Sequence, residues 1–123
     1  MCFDVSNNIR PAFNPNEFKA QQRQMWDNAA AGWQDWWETI ERGAQKVSDK
    51  LVQLAEIKPG DRVLDIATGI GEPAVTAARK VMPNGKVVAT DISPQMLAIA
   101  KAELFFLIAA VLIWDFIVYS LDL

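Results

Sequence analysis

An α/β fold is predicted for this chain, because two short apolar runs, Arg62–Ile66 and Lys86–Asp91, are separated by a glycine loop and a helix-length segment. Each run has the length of a strand, and two strands joined through a helix pair in parallel. Ahead of them, residues 17–57 repeat apolar side chains at three- and four-residue steps, the period of amphipathic helices. The expected organisation is an irregular, mobile segment 1–16, a helical segment 17–57, a partial βαβ ligand-binding unit 58–103 and an atypical apolar tail 104–123.

The first segment is polar and punctuated by Asn7, Asn8, Pro11 and Pro15, and it lacks the basic start and apolar centre of a signal peptide. From residue 17 a stripe of Phe18, Gln22, Met25, Trp26, Ala29, Ala30, Trp33, Trp36, Trp37 and Ile40 carries four of the five tryptophans, with Gly32 expected to separate two helices. Two readings of the stripe are open. It clamps an aromatic or quinone-like ligand, or its indoles, burying on the order of 200 Å² each, anchor the helices on the core. The second is the expectation adopted. A further helix over residues 43–57 sets Val47, Leu51, Val52, Leu54 and Ile57 against Ser48, Asp49 and Lys50, and Lys58-Pro59-Gly60-Asp61 turns the chain into the first strand.

Val63, Leu64 and Ile66 make the first strand apolar enough to be buried on both faces. Ala67-Thr68-Gly69-Ile70-Gly71 is too rich in glycine for a strand or helix interior. A helix over residues 72–81 follows, with Pro73 at its first position, where the missing N–H costs nothing. Pro83-Asn84-Gly85 turns back into the second strand, which ends on Asp91. In such a unit a ligand lies across the carboxyl ends of the strands. Asp65, the Gly69 and Gly71 backbone and Asp91 all fall there. Glycine admits a ligand to bare backbone, and a carboxylate after the second strand can accept both hydroxyls of a ribose. Asp91 has a second reading as the cap of the helix that starts near Pro94.

Residues 69–74 also fit the dinucleotide pattern G-x-G-x-x-A, with Asp91 placed 22 positions after Gly69. Charge separates the ligands. A pyrophosphate needs free N–H groups and positive potential at the helix start, whereas Glu72 places a negative charge there and Pro73 removes a donor. With Asp65 in the same loop, the site suits a cation.

The run Val63-Leu64-Asp65-Ile66-Ala67-Thr68-Gly69-Ile70-Gly71-Glu72-Pro73-Ala74, with Val88-Ala89-Thr90-Asp91-Ile92-Ser93-Pro94-Gln95-Met96-Leu97 after it, resembles class I S-adenosylmethionine-dependent methyltransferases, and within them the ubiquinone/menaquinone C-methyltransferase-like group. The resemblance implies an incomplete Rossmann-like methyltransferase fold, to which this chain's own pattern adds N-terminal helices, a two-stranded parallel βαβ unit and a C-terminal apolar helix. It implies S-adenosylmethionine as cofactor and a small-molecule methyl acceptor as partner. The cofactor-binding residues it implies are Asp65 near the amino group, Gly69 and Gly71 under the methionine part, Asp91 at the ribose, and Ala67, Thr68 and Ile92 beside them. Ala67 stands where many members have glycine. No catalytic residue and no metal ligand is expected.

Composition excludes other chemistries. The chain has no histidine and one cysteine, Cys2, so imidazole bases, histidine ligands and an internal disulfide are absent, in keeping with a reducing, cytoplasmic setting. A net charge of −3 without a basic cluster argues against nucleic acid. After the helix beginning at Pro94, the family's third strand is replaced by an apolar run. As a helix, residues 104–121 would span about 27 Å, near the ~30 Å of a bilayer core. Three readings of this tail are open: a membrane anchor, the end of a truncated gene product, and a core helix or strand. A chain with two strands and uncovered edges is expected to self-associate. The resemblance places the acceptor side in the second half of such a domain, so weak or no methyl transfer is expected, with a non-catalytic membrane-tethered or association module as the alternative function.

Overall fold

The computed structural model describes residues 12–108 and 116–120. Among these, the order is α1 (Pro15–Asp35), α2 (Trp37–Leu54), β1 (Arg62–Ile66), α3 (Ala74–Val81), β2 (Lys86–Asp91), α4 (Pro94–Ile108) and β3 (Phe116–Ser120). The α/β class and the parallel strand-helix-strand unit are as the sequence predicts.

Asn14 starts α1, its side-chain oxygen accepting the N–H groups of Asn16 (3.1 Å) and Glu17 (3.3 Å), with Pro15 at the first helical position. Pro15 and Asn16 are thus helical, not part of an irregular segment: an Asn cap followed by Pro is a strong helix start. Gly32 does not separate two helices. Its cost in a helix interior, about 1 kcal/mol, is too small to stop a helix held by tertiary contacts. The break falls at Trp36, whose N–H donates to the Gly32 carbonyl at 3.2 Å, and α2 begins at Trp37 instead of residue 43.

The sheet order is β1-β2-β3, with both pairings parallel. Arg62 pairs with Lys86 and Ile66 with Thr90, which aligns the carboxyl ends of β1 and β2. One core cluster joins Val52 of α2, Ala74, Ala77, Ala78 and Val81 of α3, and Val87 and Ala89 of β2; another joins Ala30 of α1, Ile70 and Met96. Small alanines on α3 let it lie close to the sheet, and about 25 cal/mol per Å² of apolar area buried there holds the unit together.

Two expectations are corrected. β1 is not buried on both faces: Val63 and Asp65 are half-buried, while Leu64 and Ile66 are 61% and 67% exposed. Among the described residues β1 has a strand neighbour only in β2, and helix packing covers one face. The tail is not one helix over residues 104–121. α4 ends at Ile108, and Phe116-Ile117-Val118-Tyr119-Ser120 is a strand, adding a third to the expected two. Its β-branched and aromatic residues favour extended backbone, and pairing with β2 satisfies their ladder hydrogen bonds. No helix among the described residues is long and apolar enough to cross a membrane. The rest of the tail, residues 109–115 and 121–123, lies outside the described residues, as does the expected mobile segment up to residue 11.

Candidate functional site

The loop leaving β1 turns through three left-handed residues, Ala67 (φ 61°), Gly69 (φ 58°) and Gly71 (φ 122°). Thr68 N–H still reaches the Thr90 carbonyl at 2.9 Å, so the loop remains tied to β2 as it turns. Glycine takes such angles freely; Ala67 does so against the contact between its Cβ and the backbone. Open space surrounds the position a Cβ would take at Gly69. At Gly71 it would meet Val75 and Ala100 at 3.5 and 3.6 Å. The two glycines thus differ: Gly69 leaves room in front of the backbone, while Gly71 is buried and packs the loop against α3 and α4.

Asp91 ends β2 and is 6% exposed. Its Oδ2 accepts the Gly69 N–H at 2.8 Å and its Oδ1 accepts the Ser93 N–H at 2.9 Å. The cap of α4 is Ser93, whose Oγ accepts the Met96 N–H at 3.0 Å. Asp91 therefore braces both the glycine loop and the turn into α4, and each oxygen keeps a lone pair for a ligand.

Above this end of the sheet, α1 and α2 close a cavity of about 470 Å³. Its floor is Ala67, Thr68, Gly69, Ile70, Asp91 and Ile92, and its wall includes Trp26 and Trp33 of α1 and Trp37, Ser48 and Leu51 of α2. Five of the seven residues singled out from sequence thus line one cavity. Gly71 and Asp65 lie outside its lining. The tryptophans are not core anchors in the way the stripe suggested: Trp26 and Trp33 stand 38% and 39% exposed, Trp36 stands 64% exposed, and Trp37 packs against the Ala30 cluster. A stripe at helical spacing does not reveal which side of a helix faces a core and which a cavity.

Glu72 also lines the cavity. Its Oε2 accepts the Thr76 hydroxyl at 2.7 Å, and Thr76 in turn accepts Gln45 Nε2 of α2 at 3.0 Å. Three buried oxygens around the loop, Asp65 Oδ2, Thr68 Oγ1 and Glu72 Oε1, make no hydrogen bond of ordinary geometry, although the Thr68 hydroxyl lies close enough to Asp65, and the Ser48 hydroxyl close enough to Glu72, to favour the charged carboxylates. Burial raises the pKa of Asp65 and of Glu72 above the ordinary carboxylic-acid value, making both weaker acids, with the nearby Asp91 charge adding to the effect at Asp65. Poorly satisfied buried acceptors are costly, and at Thr68 and Glu72, which line the cavity, an arriving group with N–H donors and positive charge would satisfy them. The accepting oxygens of Thr68, Glu72 and Asp91 fit such a group. No cluster of three or more His, Cys, Asp or Glu that could hold a metal ion occurs among the described residues.

Residues 63–113 match the family described as a methyltransferase domain. The demethylmenaquinone methyltransferase of Symbiobacterium thermophilum is 30% identical over 89 residues, covering 72% of this chain and 36% of the relative. A ubiquinone/menaquinone biosynthesis C-methyltransferase of Xanthomonas oryzae is 45% identical over 54 residues, covering 44% of this chain and 21% of the relative. The chain thus spans about a third or less of the length of these curated relatives. Among solved structures, TrmN from Thermus thermophilus superposes with a TM-score of 0.53 at 33% identity, covering 61% of this chain and 21% of that one. A SAM-dependent methyltransferase from Aquifex aeolicus shares the fold, with a TM-score of 0.50 at 24% identity over 61% of this chain and 38% of its own.

Proposed function

We propose, from the match of residues 63–113 to the methyltransferase-domain family and the likeness to the relatives above, that the cavity under α1 and α2 is the methyl-donor site of an S-adenosylmethionine-dependent methyltransferase acting on a small molecule. The observation that carries this is the convergence of Asp91, the bare Gly69 backbone, Thr68 and Glu72 on the lining of one cavity. The bound cofactor supplies an electrophilic methyl on a sulfonium, transferred by in-line displacement. The protein's part is to hold donor and acceptor in line and to keep water out.

In this reading Asp91 accepts the ribose hydroxyls with its remaining lone pairs, and Gly69 lets the ligand lie against the loop. Thr68 and Glu72 accept N–H donors of a cationic group, and Asp65 adds negative potential from behind the loop. Asp65, Glu72 and Asp91 all make the site hostile to pyrophosphate. Trp26, Trp33 and Trp37 offer flat apolar faces that exclude water and suit a planar acceptor, in keeping with the quinone named for the relatives. No side chain of the chain is assigned as a general base, and we expect weak or no turnover from the 123 residues by themselves.

Calorimetric titration of S-adenosylmethionine and of NAD against the wild type and Glu72→Gln tests the reading. S-adenosylmethionine should bind the wild type and bind the variant equally or somewhat more weakly. Tighter NAD binding by the variant, with no S-adenosylmethionine bound by either protein, would overturn it.

A second reading, an association module, is favoured by one observation: β1 leaves Leu64 and Ile66 exposed beside an edge that no described strand covers. Light scattering over a concentration series decides it. A constant monomer mass removes it.

A further inference from the structure

Asp27, on α1, reaches across the fold to the start of α4. Its Oδ1 accepts the hydroxyl of Ser93, 66 positions later in the chain, and also the N–H of Gln95 at 3.3 Å. Ser93 is fully buried and already caps α4 through its contact with Met96 N–H. One cap oxygen suffices to start a helix, so the added carboxylate is not needed for α4 to form. It does fix α1 in position. Trp26, the neighbour of Asp27, is part of the cavity wall, and Trp33 stands two turns further along the same helix.

From Ser93 the connections continue inward. Its N–H donates to Asp91 Oδ1, and Asp91 Oδ2 receives the Gly69 N–H. A continuous chain of hydrogen bonds therefore runs from Asp27 through Ser93 and Asp91 to the glycine loop. One end seats the helix that walls the cavity, and the other sets the carboxylate and the loop that form its floor.

We infer that Asp27 is a positioning residue that couples the seating of α1 over the cavity to the orientation of Asp91 and the glycine loop. Its partners at the α4 terminus are Ser93 and the Gln95 backbone, and neither belongs to its own helix. By linkage, a ligand that bonds to Asp91 must tighten α1 by as much as the seating of α1 favours the ligand. The ligand half of this statement rests on the proposed donor site; the coupling itself does not.

Hydrogen exchange on wild type, Asp27→Ala and Asp27→Asn tests the coupling without ligand. In Asp27→Ala the Gly69 amide should exchange about tenfold faster relative to the β1–β2 ladder amides, within the usual range for coupled sites. Asp27→Asn keeps an oxygen that can accept both bonds and should restore most of the protection. A Gly69 amide that keeps its rate relative to the ladder in Asp27→Ala overturns the inference. With S-adenosylmethionine added, α1 amides of the wild type should slow, and the alanine variant should bind about tenfold more weakly with that slowing lost. Binding without any slowing of α1 in the wild type, which needs no variant to fold, also overturns it. Failure of S-adenosylmethionine to bind counts against the donor-site reading alone, because the ligand-free comparison still decides the coupling.

Discussion

Asp91 Oδ2 accepts the N–H of Gly69 at 2.8 Å, joining the end of β2 to a loop 22 residues earlier. This bond makes a residue that lines the cavity also the residue that shapes the loop. Removing it in Asp91→Ala leaves the Gly69 and Ser93 amides without their acceptor. A hydrogen bond to a charged group contributes about 1.5–3 kcal/mol, so the variant should lose stability of that order by urea unfolding as well as ligand affinity. Asp91→Asn keeps one accepting oxygen and should lose less of both.

Ala67 is held at φ 61°, where an L-residue with a Cβ is disfavoured by about 1–2 kcal/mol. Glycine relieves that contact but starts from a freer unfolded chain. Ala67→Gly should therefore be neutral to stabilising by up to about 1 kcal/mol, whereas Ala67→Val should destabilise, because branching at Cβ tightens the clash. Chemical denaturation of the three proteins checks the order.

Gly69 and Gly71 should respond differently to alanine. Gly71→Ala forces a side chain onto φ 122° between Val75 and Ala100, so its main effect should be on stability. Gly69→Ala has room for its methyl, so its stability cost should be limited to the about 1–2 kcal/mol of a Cβ at φ 58°, while the methyl in the space before the loop should add a loss of ligand affinity that Gly71→Ala lacks. Thermal unfolding and calorimetry on the same two variants separate these outcomes.

Asp65 and Glu72 carry a pH dependence opposite to that of salt-bridged carboxylates. Burial raises the pKa of each above its unfolded value, so the folded state binds protons more readily than the unfolded state. Their contribution to stability is fullest below the unfolded value and declines as pH rises through the folded one. Glu72→Gln should accordingly gain stability relative to wild type at neutral pH, with the gap closing near pH ~4. Affinity for a cationic ligand should fall over the same window on acidification, as Glu72 takes up a proton. Urea unfolding and calorimetric titration at several pH values check both directions.

Much of the candidate site's layout was legible in the sequence because it is local. The glycine loop, the Glu72 charge and the aspartate at the end of the second apolar run lie within one βαβ unit. Parallel pairing of its strands brings Gly69 and Asp91 together, whatever surrounds them. Helix and strand periods likewise located most of the elements. What the tertiary structure decided concerns surfaces and distant partners. Whether Trp26 and Trp33 face a core or a cavity depends on where α1 docks, and helical spacing is the same in both cases. Leu64 and Ile66 look like core residues in a list of apolar side chains, and became exposed because only one face of β1 is covered. The strand at Phe116–Ser120 was hidden in an apolar run whose composition suits a helix or a strand, until pairing with β2 chose between them. The meeting of Asp27 and Ser93 had no local signal at all, since two polar residues 66 positions apart become partners only when α1 is laid across the start of α4.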